Sequence, residues 1–472
     1  MRLFGAGRPD HPMADPKAAR RILEELPAQD LKALEELAHW HESASTVEGF
    51  RAEERAQRLA MIDEAAQPRL RKLAREYLRA ARVQQNLLWT RIHEYWHQAA
   101  QAYARAIGPK PLSELVAGAL RALGQQIKWQ QLRYGPIDAA VWELMNRIFA
   151  QAEAQGAGAG KPEFLKAALF SASAMDNRLP QEIELAERLI DALAPAFALA
   201  KSPAPELPYW IDLGRAMAPA RGKQPPQPAP GLRYIGPGAA LGTLQSLIKG
   251  LEKGGPVPPE LKLGDCDAET LLGVVRHLAA HWASAPPERR HKRHSMTSRA
   301  RVVHGFDSVL EACGGATDSL DFGKGPPAKW VVENVSAGGF GALAPQANID
   351  WLKVGALVAA WPEGAPGWMV GAVRRVNKIS PQEIRVGVET LSRAPALSHF
   401  VLRNAGETEG VLLSAAAGSG DAAIVLRAGV YVRGENLEAT IGGRQHVYLP
   451  QGVAERGDDY EIVRFKEMVR ES

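Results

Sequence analysis

From Asp30 onward the apolar residues of the chain recur at helical spacing. In the stretch LKALEELAHW, Leu31, Leu34 and Leu37–Ala38 share one face, and Asp30 suits the N-cap position behind Pro27. A longer run over residues 52–106 carries a broad apolar stripe of Leu73, Tyr77, Ala81, Leu87, Leu88, Ile92, Tyr95, Trp96 and Tyr103. Pro68 falls inside that run and predicts a break or a first-turn position, because proline cannot donate the helical hydrogen bond. The same patterning predicts helices over 111–131, 137–154, 162–171 and 180–200, with Gly156–Gly160 as a flexible joint. Ala, Leu, Arg, Glu and Gln dominate, so residues 1–200 read as an all-α region.

Residues 202–238 are rich in Pro and Gly and cannot hold a continuous helix. Short helices are expected at 239–253 and 267–283, which makes 201–285 a linker with short helices. After Pro286–Pro287 the pattern changes to period-two alternation rich in β-branched residues. Strands are expected at 299–306, 329–335, 339–344, 354–361, 367–379 and 383–391, at the spacing of a small barrel or sandwich. Residues 396–472 continue in this style, either as a second small β unit or as an extension of the first. No internal sequence repeat is evident. The fold expected is a multidomain α+β chain: helical 1–200, linker 201–285, barrel 286–395 and a β-rich C-terminal extension 396–472.

Composition adds bounds. Apolar residues make up 46% and charged residues 23% of 472, enough for buried cores without staples. Cys266 and Cys313 are isolated, which suits a reducing compartment and predicts a cytoplasmic protein. The first residues lack an apolar signal core, and no uninterrupted apolar run is long enough to span a bilayer. A net charge of +4 is too mild to point to nucleic acid by itself. Its distribution is more telling: Arg289, Arg290, Lys292, Arg293, Arg299 and Arg301 crowd one stretch, with His291 and His294 among them.

Two pieces of the β region belong together. Arg289 and Arg293 form an RxxxR spacing, and Asn334, Ser336 and Gly339 form NxSxxG with Gly338 inside it. The basic cluster, a strand, this turn and then VGALVAAW, GWMVGAVRRVN and IRVGVETL follow in order. That succession resembles the PilZ domain, a bacterial receptor module for cyclic di-GMP. The resemblance implies a six-stranded antiparallel β-barrel with the RxxxR segment before it and the Asn/Ser/Gly turn on its surface. It implies a binding protein rather than an enzyme, with cyclic di-GMP as ligand and no cofactor. Arg289, Arg290 and Arg293 would then clamp guanine and phosphate, while Asn334, Ser336, Gly338 and Gly339 form the opposing surface. Guanidinium suits this work: it forks onto phosphate or a guanine edge and stacks on purine faces. Residues 314–328 read as a loop inserted between the two halves, and Thr390–Leu391 stand where the family often has an aromatic. The resemblance covers residues 286–395 and leaves most of the chain outside it.

Other signals compete. His93-Glu94-Tyr95-Trp96-His97 matches HExxH, whose histidines at i and i+4 could bind zinc and make a hydrolase. No third ligand follows at a familiar spacing, and Tyr95 and Trp96 fit a packing stripe. The segment 235–242, IGPGAALG, lacks the Gly-Lys-Ser/Thr of a phosphate loop. The basic stretch 289–301 could instead bind nucleic acid, or the barrel could be a scaffold without ligand. The N-terminal helices are expected to self-associate or hold a protein partner. Ligand binding is expected to order the arginine segment about Pro286–Pro287.

Overall fold

The computed structural model describes residues 9–156, 158–222, 224–285, 287–288, 291–315, 327–345, 351–380, 382–402, 406–413 and 421–470. The chain forms two compact units: Met1–Met175 with Pro180–Glu288, and Asp176–Leu179 with Arg289–Ser472.

The first unit is built on helices α1 (Pro16–Glu24), α2 (Asp30–Thr46), α3 (Ala52–Arg79), α4 (Arg82–Ala106), α5 (Ser113–Gln131), α6 (Ala139–Ala154), α7 (Lys161–Ala172) and α8 (Pro180–Leu193). Local chemistry sets several boundaries. Asp15 caps α1 by accepting from the Ala18 amide at 2.9 Å, with Pro16 in the first turn. Pro68 neither breaks α3 nor starts a helix. One lost hydrogen bond is tolerated because Leu59, Ile62, Ala66, Leu70 and Leu73 bury the inner face of α3 on both sides of it. The chain turns at Ala80–Ala81 instead, between α3 and α4.

The centre of this unit is polar. Asp63 on α3 is buried and accepts from Tyr95 Oη at 2.7 Å and Tyr103 Oη at 2.9 Å. It also meets Arg121 of α5 and lies 3.3 Å from His41 Nε2 of α2. Burial alone would raise its pKa, but His41, Arg121 and Tyr95 outweigh that and hold the carboxyl down at about 2. Gly118 lets α5 approach here, since a Cβ would sit 2.4 Å from the Tyr103 ring.

The proline-rich segment is not only a connector. It supplies β2 (Tyr209–Asp212) and β3 (Leu232–Gly236), which join β1 (Ala198–Ala200) in an antiparallel sheet of order β1-β3-β2. β3 is buried along its length, and its Arg233 pairs with Glu153 of α6 at 3.0 Å. Helices α9 (Ala240–Glu252) and α10 (Ala268–Trp282) complete the unit, and Asp267 caps α10 through the Thr270 amide. Among the described residues no helix is long and apolar enough to cross a membrane.

The second unit holds two closed antiparallel barrels of six strands each. The first uses β4 (His294–His304), β5 (Ala328–Ser336), β6 (Gly339–Pro345), β7 (Leu357–Pro362), β8 (Met369–Lys378) and β9 (Glu383–Ser392), in the order β4-β5-β6-β9-β8-β7. Alternation is plain in β9, where Ile384, Val386 and Val388 are buried and Glu383 and Arg385 are exposed. A helix that the alternation did not predict, α11 (Phe306–Cys313), follows β4 and buries Phe306, Val309 and Ala312.

The second barrel uses β10 (Ala396–Leu402), β11 (Gly406–Leu413), β12 (Asp421–Arg427), β13 (Leu437–Ile441), β14 (Arg444–Arg456) and β15 (Tyr460–Arg470). Its order, β10-β11-β12-β15-β14-β13, repeats that of the first barrel strand for strand. The C-terminal region is therefore a second β unit, and the duplication lies in topology. The barrels share one apolar cluster: α11 side chains, Leu357, Ala359 and Val370 meet Val411, Leu413, Val425, Tyr460 and Ile462. Around it, Asp459 accepts from the Phe306 amide at 2.7 Å and Tyr460 Oη donates to the Gly355 carbonyl at 2.9 Å. Arg374 of the first barrel bonds Glu455 of the second at 2.6 Å.

Candidate functional site

The Asn/Ser/Gly motif occupies the end of β5, the turn, and the start of β6. Ser336 pairs with Gly339 across the turn, and Ser336 Oγ donates to the Gly339 carbonyl at 3.1 Å. Gly339 is where backbone must meet backbone. A Cβ there would lie 2.0 Å from the Val388 carbonyl oxygen of β9, so every other residue is excluded unless the strands shift. Thr390 reinforces the contact by donating its amide to the Gly338 carbonyl at 3.0 Å.

Asn334 lies at an irregularity of the β5–β6 ladder, between the Val332 and Asn334 pairs. Its side chain rests on Gly341, where a Cβ would approach Nδ2 to 2.8 Å. Its Oδ1 is buried and has no hydrogen-bond partner among the described residues. An orphaned acceptor of this kind costs about 1–3 kcal/mol until a donor reaches it.

The sheet brings the basic segment to this turn. β4 begins at His294, well before the expected residue 299, because His294, Ser295 and Ser298 pair with β5 while residues 294–298 carry no apolar alternation. His294 pairs with Val335 and Ser295 with Asn334. Continuing that register puts Arg293 opposite Ser336. His291 lies over the turn: a Cβ on Gly338 would come within 2.9 Å of its Cδ2. Arg293 is exposed. Arg289 and Arg290 lie outside the described residues.

Not every member of the basic cluster belongs here. Arg301 is engaged elsewhere, stacked over Trp361 at 4.5 Å and near Trp368 at 5.8 Å. Conversely, sequence reasoning passed over Arg393. It follows β9, and its Nη2 donates to the Ser336 and Ala337 carbonyls, each at 3.3 Å. Only the neighbour relation β6–β9 brings it to the motif, and nothing in its local sequence signals that.

The HExxH residues make an unremarkable helix face. His93 stacks on Trp89 with ring centroids 4.6 Å apart, and Arg133 covers that same indole at 4.8 Å. Burial pushes the His93 pKa down, and the neighbouring His97 adds to this. Glu94 pairs with Arg91 at 3.2 Å, and His97 Nδ1 lies 3.4 Å from Gln126 Oε1. Among the described residues no group of three or more His, Cys, Asp or Glu could hold a metal. Segment 235–242 is packing: a Cβ on Gly236 would strike the Glu206 carbonyl at 2.1 Å.

Comparison with known families bears on the other half of the molecule. Residues 17–204 match the family described as "Cyclic-di-GMP receptor FimW, N-terminal domain". The match takes in α1 to α8 and β1, less than half of the chain, and includes none of the barrel residues discussed above. No curated protein matches the chain.

Proposed function

We propose that this chain is a cyclic di-GMP receptor of the PilZ type, with the nucleotide on the β5–β6 turn of the first barrel. Arg289, Arg290 and Arg293 clamp its guanines and phosphates. Asn334, Ser336, Gly338 and Gly339 form the surface beneath. One observation supports this reading: His294 pairs with Val335, and His291 lies over Gly338 of the Asn/Ser/Gly turn. The similarity of residues 17–204 to a cyclic-di-GMP receptor domain supports it independently, because it rests on different residues.

The chemistry is consistent. Asn334 Oδ1 needs a donor, and a guanine edge offers N–H groups. Gly338 leaves room for the His291 ring over the turn. The role is binding rather than catalysis, in the cytoplasm, and the helical unit carries output to a protein partner. Ligand orders the arginine segment about Pro286–Pro287, and that ordering is the signal passed on.

Calorimetric titration of cyclic di-GMP into wild type and Asn334→Ala tests the site. Wild type binds and the variant loses about tenfold or more, the scale of a hydrogen bond to a charged or strongly polar partner. Equal affinity of the two would move the site off this turn. Limited proteolysis tests the ordering: cleavage near residues 286–300 slows with saturating ligand, and unchanged cleavage contradicts it.

A further inference from the structure

The order β4-β5-β6-β9 brackets the β5–β6 turn between two strands. On one side lies the start of β4, preceded by Arg293. On the other lies the end of β9, followed by Arg393 at the junction with the second barrel. Strands β4 and β9 are three spacings apart, so the two backbone positions are roughly 14 Å from each other, with the turn between them.

We infer that Arg393 is a further ligand-binding residue, contacting a phosphate or guanine edge of the nucleotide from the side opposite Arg293. This rests on the cyclic di-GMP reading above. Three features support it. Arg393 is exposed beside the motif. Its two bonds, from one nitrogen to the Ser336 and Ala337 carbonyls, are 3.3 Å each, longer than the usual 2.9–3.0 Å. Among the described residues no acid pairs with it, and its Nε and Nη1 make no hydrogen bond there. A guanidinium offers five donors, and an anion is a stronger acceptor than two distant neutral carbonyls. Arg374, which reaches the turn end of β9, differs: it is tied to Glu389 and Glu455. Among the described residues at the turn, Arg393 is a cation with donors left for a ligand. Its place also makes the link to the second barrel part of the binding surface.

The test is titration of cyclic di-GMP into the full chain as wild type, Arg393→Ala and Arg393→Lys, with thermal unfolding of each without ligand. Arg393→Ala weakens binding about tenfold to a hundredfold while leaving the unliganded unfolding temperature in place. Arg393→Lys recovers part of the loss, because it keeps the charge but not the fork. Two outcomes overturn the inference: wild-type affinity in Arg393→Ala, or a fall in its unliganded unfolding temperature with no recovery in Arg393→Lys, the mark of a brace for the turn. Failure of wild type to bind at all would instead remove the receptor reading, and this contact with it.

Discussion

Gly339 and Asp63 are the two residues at which the fold leaves least choice. At Gly339 the β5–β6 turn meets β9 so closely that a methyl group collides with the Val388 carbonyl. Gly339→Ala is expected to cost about 1–3 kcal/mol in denaturant unfolding and to abolish nucleotide binding by displacing the turn. Asp63 predicts a pH dependence. Its folded pKa of about 2 lies below its ordinary value of 3.8, so its contribution is fully present above the ordinary value. That contribution, about 2 kcal/mol, is lost as pH falls through the folded value. Thermal unfolding of wild type should therefore weaken between about pH 4 and pH 2 more steeply than that of Asp63→Asn. Parallel curves would mean that the carboxylate is not held by its partners. The substitution itself destabilises at neutral pH, since Arg121 loses its counter-charge.

Elements with one apolar face were readable from the sequence. α2, α5 and the strands β5 to β9 follow directly from spacing, since alternation at period two or near four residues reflects burial. Elements defined by backbone pairing were not. The first residues of β4 carry exposed side chains and no pattern, yet they bring His294 and Ser295 opposite Val335 and Asn334. α11 is short and sits where alternation predicted only the end of a strand. The candidate residues were legible as a motif, whereas Arg393 beside them was not, because its neighbourhood depends on strand order. α11 and Arg374 lead to a prediction of their own. Arg374→Ala takes the guanidinium from Glu455, which keeps the bond from Tyr460 Oη at 2.9 Å, and the side chain is partly exposed, so the loss should be about 1 kcal/mol in denaturant unfolding. No change would show that this ion pair adds nothing to the contact between the barrels.

Across the whole molecule, two barrels of one topology share an apolar cluster, and residues 17–204 match the N-terminal domain of a cyclic-di-GMP receptor family. The repeat was invisible in the sequence because closed barrels need only alternation and turns, which many sequences supply. A chain ending after Ser392 would expose Leu357, Ala359, Val370 and the α11 face to water. It should aggregate or show loss of amide-exchange protection in the first barrel, while the full chain unfolds both barrels in one transition. Retained protection in the shortened chain would make the barrels independent.

The most direct measurement is calorimetric titration of cyclic di-GMP into the wild-type chain and into Arg293→Ala. The receptor reading predicts saturable binding by wild type and loss or strong weakening in the variant. Heat of dilution alone from wild type would contradict it and leave the first barrel as a scaffold without this ligand.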